Sequence, residues 1–481
     1  MVFSSLLFLY AFLPAFLALY YLAPRGLRNP VALLASLVFY VWGEPVFAFW
    51  LVGSSLFDFY LSLWLDRVPP AAIGRRRALL TLGLVVNLSA LLYCKYSNFL
   101  VVQLDHLLAW RGAAPLAWTA VALPIGISFF TFHKISYLVD IYRGTSRPTR
   151  SVFDYLLYIC LFPQLIAGPI IRYHDVESQL RDREHTLDRF LAGTWRFLLG
   201  LGRKVLIANP LGLVADKVFG HDLASLPLPY AWVGIVCYTF QIYFDFAGYS
   251  DMAIGLARMM GFEFLENFNR PYTARSITEF WRRWHISLSN FMRDYLYIPL
   301  GGNRVAPWRN KLNLWLTFLA SGLWHGASWN FIFWGAYHGT LLSVEKTAGR
   351  ERMARVPGWL AWPVTFLLVL IGWIFFRADS LSHAGLFLER MVAWDSWPDT
   401  LRNPQLLWPD LITRRTTGAL VLAAITSFMP DSFWQRWGWD DALPASRRAA
   451  VARVVIAATL LLLASASLAN ASYNPFIYYR F

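Results

Sequence analysis

From Leu312 to Val344 the chain runs for 33 residues without an Asp, Glu, Lys or Arg. One bilayer crossing needs only about 20 apolar residues, so this run holds more than a single straight span. The interruption is expected at Ser321-Gly322-Leu323-Trp324-His325-Gly326-Ala327-Ser328. Each of its two glycines should weaken a helix by about 1 kcal/mol relative to alanine. The reading is a span entering near Leu312, a break around His325 and a second helix leaving through Gly339. Broken backbone survives at membrane depth only when it is buried in protein or lines a wet cavity. His325 is therefore expected as a titratable group on the floor of a polar pocket. A core histidine joining two helices is the alternative. The flanking glycines and a second histidine, His285, forty positions upstream, favour a chemical role, the default for ionisable groups at such depth.

Composition extends the membrane reading to the whole chain. Of 481 residues, 57% are hydrophobic and 15% charged, where soluble domains carry about 25% charged. No polar stretch is long enough to supply its own core. Residues 1–481 are expected to form one integral-membrane domain, with a catalytic core at 275–345 and an extracytoplasmic tail at 470–481. The net charge of +14 sits in clusters between apolar runs. Such clusters report orientation and contact with membrane lipids, not nucleic acid. Cys94, Cys160 and Cys237 stand singly, and His133, His174 and His338 lack ligand spacing, so neither a metal nor a bound cofactor is expected. The absence of GxxxxGK[ST] and GxSxG disfavours an ATPase or serine hydrolase.

Along the chain, Val2–Leu22 lacks a basic start and is followed by Arg25 and Arg28, the flanks of a first span and not of a signal peptide. Pro30–Leu65 should break at Gly43-Glu44-Pro45. Leu79–Tyr93 and Phe99–Trp110 read as separate candidates, and Ala117–Ile141 as a helix kinked at Pro124 and Gly126. Val152–Ile171, with Pro163 and Pro169, should be bent or re-entrant. Phe190–Val218, Tyr230–Met260, Trp359–Phe376, Gly418–Met429 and Val451–Leu468 follow. With the Leu312–Val344 run this makes about eleven to thirteen membrane segments. Basic clusters place Arg67–Arg77, Arg172–Arg189 and Arg436–Arg453 in the cytoplasm, and hence the C-terminal tail outside it. Asp245 and Asp251 lie within Tyr230–Met260, where carboxylates must be paired or wet; structural pairing and pocket lining both stay open. Ile277–Ile298 has the composition of an amphipathic interfacial helix, either an anchor through Trp281 and Trp284 or a carrier that turns His285 inward.

Six segments together resemble the membrane-bound O-acyltransferase family, most closely its bacterial branch of alginate O-acetylation and teichoic-acid D-alanylation proteins. They are Pro124–Phe132, Phe162–Arg172 (FPQLIAGPIIR), Gln241–Gly255 (QIYFDFAGYSDMAIG), Glu266–Tyr272 (ENFNRPY), Phe280–Arg304 and Gly322–Gly339. The resemblance implies an all-α polytopic fold, a ring of helices around a central funnel, in a bacterial inner membrane. It implies His325 as the principal catalytic residue and His285 as a second. The expected reaction moves an acetyl group from a cytoplasmic thioester, acetyl-CoA, toward an extracytoplasmic alginate-like polysaccharide, with periplasmic acetyl-transfer proteins as partners. Peptidoglycan O-acetylation and D-alanylation are the alternatives within the class. A glycan-lipid transporter or a non-catalytic scaffold is the alternative outside it.

Transfer from a thioester to an alcohol needs a base near neutral pH, which imidazole, with a pKa of about 6.5, supplies. It also needs donors for the tetrahedral oxyanion, for which Asn330 and Trp324 are candidates. A cationic surface for a phosphorylated donor is expected from Arg282, Arg283 and Arg293, with headgroup contact as the alternative. The tail FIYYRF resembles the C-terminal motif of the small helper peptide of the D-alanylation system. Tyr478 is accordingly expected as an acyl relay and Tyr479 as its fallback, against an interfacial aromatic belt as the plainer role.

Overall fold

In lipid a backbone must satisfy its own polar groups, and a helix does so within one segment. The computed structural model describes residues 1–394, 411–430, 432, 446–470 and 473–475, and among them every regular element is helical. The chain forms two compact units: Met1–Leu191 with Leu256–Leu265, and Ala192–Gly255 with Glu266–Phe481.

The first unit holds α1 (Leu13–Leu22), α2 (Arg28–Val41), α3 (Pro45–Arg67), α4 (Ile73–Trp110), α5 (Ile127–Arg143), α6 (Val152–Cys160), α7 (Phe162–Leu165) and α8 (Tyr173–Arg181). The break between α2 and α3 falls where Gly43-Glu44-Pro45 requires it, with Pro45 opening α3. Two expectations are corrected. Leu79–Tyr93 and Phe99–Trp110 are parts of one 38-residue helix, α4. The polar link between them continues as helix because Lys95 is buried and donates to Ser128 Oγ at 3.3 Å. Ala117–Ile141 is not a single kinked helix, for α5 begins only at Ile127. Gly126 stops it: its φ is 79°, and an added Cβ would sit 2.6 Å from the Leu165 carbonyl oxygen, so only glycine fits. Inside the unit Asp58 is buried with Lys134 at 3.8 Å and accepts from Asn87 at 2.8 Å. Arg76 donates to carbonyls at the ends of both α3 (Val68) and α5 (Tyr142), at 3.2 and 3.0 Å, a C-terminal cap for two helices. The returning segment Leu256–Leu265 is stitched in by Tyr20 Oη donating to Met260 O at 2.9 Å and by Glu263 N donating to Gln179 Oε1 at 2.7 Å. The Arg183 guanidinium lies 4.1 Å over the Phe262 ring.

The second unit takes most of α9 (Leu187–Gly202) and then α10 (Asn209–Phe219), joined through a π-helical turn at Arg203–Ala208. It continues with α11 (Leu228–Met259), whose last turn returns to the first unit, then α12 (Ile277–Arg283), α13 (Ile286–Met292), α14 (Pro307–His325) and α15 (Trp329–Ala348). After these come α16 (Arg350–Arg355), α17 (Gly358–Arg377), α18 (Leu381–Arg390), α19 (Arg414–Phe428) and α20 (Arg447–Asn470). The charge-free run is an α14–α15 hairpin that turns directly after His325, as its sequence required. One glycine of the expected break does something else. Gly322 lies inside α14, where an added Cβ would meet Phe331 O at 2.2 Å, and Gly335 of α15 would meet Phe318 O at 2.4 Å. Small residues let the two backbones touch, the usual device of helix pairs in membranes. Gly326 alone makes the break.

Five helices among the described residues are long and apolar enough to cross a bilayer: Pro45–Arg67, Ile73–Trp110, Leu187–Phe219, Gly358–Arg377 and Arg447–Asn470. Other expected membrane segments are shorter, broken, or carry charges that find partners in the protein. The chain is a multi-pass membrane protein.

Candidate active site

His325 is the last residue of α14, and the backbone leaves the helix through Gly326 in an extended conformation. A Cβ on Gly326 would lie 2.2 Å from the Phe331 ring, so the turn is packed as tightly as the hairpin above it. The imidazole is 4% exposed. Around it stand the rings of Trp324 at 4.9 Å, Trp334 at 5.1 Å and Phe376 at 5.1 Å between centroids.

His285 reaches the same place by a route the sequence reading did not foresee. The continuous interfacial helix expected over Ile277–Ile298 is broken. α12 ends at Arg283, Trp284 is extended, and His285 adopts φ 43°, in the left-handed region that a residue with a Cβ seldom occupies. Trp281 and Trp284 are buried, so they are core residues and not a lipid anchor. The break is held by Asn267. Its backbone carbonyl accepts from Ile286 N at 2.9 Å. Its Oδ1 accepts from Ser287 N at 3.2 Å and from Ser287 Oγ at 2.9 Å, and faces His285 Nδ1 at 3.1 Å.

That arrangement fixes the tautomer. A backbone N–H can only donate, so the Asn267 atom it meets is the carbonyl oxygen, and His285 Nδ1 must donate to it too. Asn267 Nδ2 donates in turn to Ser250 Oγ at 3.0 Å. A neutral His285 therefore presents a lone pair at Nε2. This atom is buried and has no hydrogen-bond partner among the described residues. Asn267 went unassigned in the sequence because it is eighteen positions from His285; its only signal was a place within the Glu266–Tyr272 motif.

One indole joins the two histidines. The Trp324 ring lies 6.0 Å from that of His285 and 4.9 Å from that of His325. A third histidine, His338, sits nearby and accepts from Trp281 Nε1 at 3.3 Å. Asn330, in the first turn of α15, donates to Ala378 O at 2.5 Å. The two carboxylates whose role stayed open both have cationic partners. Asp245 meets Lys204 Nζ at 2.5 Å, and Asp251 meets Arg196 at 2.6 Å and Arg203 as well. The arginines are not gathered at one point. Arg283 pairs with Glu279 at 2.9 Å, Arg293 with Asp294 at 2.7 Å, and Arg282 is exposed. Among the described residues no group of three His, Cys, Asp or Glu could hold a metal ion. Tyr478 and Tyr479 lie outside the described residues.

Comparison with known proteins bears on this geometry. The model of the membrane-bound O-acyltransferase family matches residues 125–381, a stretch that holds both histidines. The chain is 47% identical to the probable alginate O-acetylase of Pseudomonas aeruginosa, over 88% of this chain and 80% of that one. It is 42% identical to the corresponding probable alginate O-acetylase of Pseudomonas putida, with both chains covered in full. It is 38% identical to the peptidoglycan O-acetyltransferase of Helicobacter pylori, over 82% of this chain and 80% of that protein.

Proposed function

Because the chain belongs to the membrane-bound O-acyltransferase family, we propose that it carries acetyl groups from cytoplasmic acetyl-CoA to an extracytoplasmic, alginate-like polysaccharide. The bacterial inner membrane is the proposed site, with the C-terminal tail on its outer side and periplasmic acetyl-transfer proteins as partners. The observation that carries this reading is the pair of buried imidazoles in contact with one indole. Two nitrogen bases held on either side of one indole suit acyl transfer between a thioester and a hydroxyl.

In the proposed reaction His325 takes the phenolic proton of Tyr478, whose oxygen attacks the thioester carbonyl. The C–O bond forms, the C–S bond breaks, and the leaving thiolate takes the proton from the imidazolium. The Trp324 indole N–H and the second amide hydrogen of Asn330 are the proposed donors to the oxyanion. His285, with its lone pair on Nε2, orients the incoming hydroxyl. The exposed Arg282 is the proposed contact for donor phosphates. An aryl ester on Tyr478 stays reactive because a phenol, with a pKa of about 10, leaves more readily than a sugar alcohol. A sugar or carrier hydroxyl then takes the acetyl group and returns the phenol.

The test is ester-linked acetate released from cell polysaccharide by mild base. General-base catalysis is worth on the order of 10²–10⁴-fold, so His325→Ala should transfer almost none at equal membrane abundance. Wild-type transfer by that variant would remove the mechanism. Tyr478→Phe keeps the ring and loses the nucleophile, and should be equally inactive. Full activity in both Tyr478→Phe and Tyr479→Phe would return the tail to an aromatic belt. The relationship to the Helicobacter protein supports a second reading, with peptidoglycan as acceptor. Locating the ester acetate on the one polymer or the other decides between them.

A further inference from the structure

Three residues of the tail, Tyr473, Asn474 and Pro475, are each held by a side chain of the second unit. Tyr473 Oη donates to Asp216 Oδ2 at 2.6 Å, while Arg377 donates to Asp216 Oδ1 at 2.7 Å. Asn209 Nδ2 donates to Asn474 Oδ1 at 3.2 Å. Lys204 Nζ donates to Asn209 Oδ1 at 2.8 Å and to the Pro475 carbonyl, and it also pairs with Asp245. Lys204 and Asp245 are both buried, so this end of the contact is removed from water. Space has been left for it. A Cβ on Gly212 of α10 would come within 2.9 Å of the Tyr473 hydroxyl and 2.5 Å of Gln241 Nε2.

The same contacts reach the active site. Arg377 ends α17. The residue before it, Phe376, packs its ring 5.1 Å from that of His325, and the residue after it, Ala378, gives its carbonyl to Asn330. The root of the tail is therefore tied, through Asp216 and Arg377, to the turn that walls one side of His325. An aromatic tail that merely floated at the lipid interface would need no such root.

We infer that Lys204, Asn209, Asp216 and Arg377 form a clamp on residues 473–475, and that they are positioning residues for acyl transfer through the tail. This inference rests on the reading that a tail tyrosine accepts the acyl group. Tyr478 lies three residues beyond Pro475. A chain extends at most about 3.5 Å per residue, which confines that hydroxyl's backbone to roughly 11 Å from the anchored carbonyl. Holding the root replaces a wide search by a short one, the entropic part of what orientation contributes to a reaction.

The experiment uses the full chain with Cys94, Cys160 and Cys237 replaced by serine. The added Asn209→Cys and Asn474→Cys side chains are joined by a short bifunctional thiosulfonate, whose link a reductant cleaves. The cross-link should form within one chain and should support acetate transfer that falls on reduction. In singly substituted chains, Tyr473→Phe and Asp216→Asn should each lower transfer by about tenfold at unchanged abundance, the scale of one hydrogen bond to a charged group. The double variant should be no worse than the poorer single one, since both remove the same contact. Either change should also reduce the yield of the 209–474 cross-link, which a purely structural role for Asp216 would leave alone. No cross-link, or wild-type transfer in both variants while Tyr478→Phe stays inactive, overturns the clamp alone. Wild-type transfer in Tyr478→Phe and Tyr479→Phe overturns the positioning role together with the relay.

Discussion

Asn267 governs which nitrogen His285 can offer, and substitution there should be as informative as at the histidine. Asn267→Ala removes the acceptor for Nδ1–H and the two bonds from Ser287 at the start of α13. Acetate transfer should fall at least as far as in His285→Ala, while Asn267→Asp, which keeps an acceptor, should retain more. At position 285 itself alanine is a confounded probe. A residue with a Cβ is strained by roughly 1–2 kcal/mol in the left-handed region, and asparagine tolerates it better. His285→Asn therefore separates loss of the imidazole from loss of the turn. A pH dependence belongs to another histidine. His174, on the polar helix α8, has its pKa raised, chiefly by the hydrogen bond of Nδ1 to Asp140 Oδ2 at 2.7 Å. A raised folded-state value means its contribution is complete below the unfolded pKa of about 6.5 and is lost as pH rises through the folded value. The thermal midpoint should therefore fall as pH rises above the unfolded value of about 6.5 in the wild type, and less so in His174→Gln. At this scale the turn directly after His325 was legible, because its signals, a glycine and an absence of charge, are all local. Asn267 was not, because its role exists only once two distant segments meet.

Among the elements, the α14–α15 hairpin makes the sharpest demand. Gly322→Ala would place a methyl group against the Phe331 carbonyl in a contact no rotamer relieves. Overpacking of this kind typically destabilises by about 1–3 kcal/mol. Thermal unfolding of the purified protein should show a lowered midpoint, whereas Gly53→Ala, on open surface, should not. The helix breaks that proline or charge imposes were readable, as at Pro45 and in the segment with Pro163 and Pro169. The continuity of α4 was not, since Lys95 looks like an interruption until Ser128 is beside it. The end of the expected helix at Trp284 was hidden as well: residues 277–298 have good helical composition, and what breaks them comes from Asn267 on another part of the chain.

For the molecule as a whole, orientation has the greatest leverage, because it decides from which side an acyl donor arrives. Basic residues flanking short loops lead to the expectation that Gly74 lies in the cytoplasm. The position is exposed, so a cysteine introduced there, in the serine-substituted background, should react with a membrane-impermeant thiol reagent only after the inner membrane is opened. Labelling of intact spheroplasts would invert the assignment. The membrane class was legible because apolar runs and charge clusters add up along a chain. The division into two units was not, since it depends on a return. Leu256–Leu265 comes back to Tyr20, Gln179 and Arg183 after α9, α10 and most of α11 have been laid down in the other unit. On the ribosome, the first unit must therefore wait with an unfilled face while some sixty further residues are threaded into the membrane. A nascent chain stalled before residue 256 would leave Tyr20, Gln179 and Arg183 without the Met260, Glu263 and Phe262 contacts that close the unit.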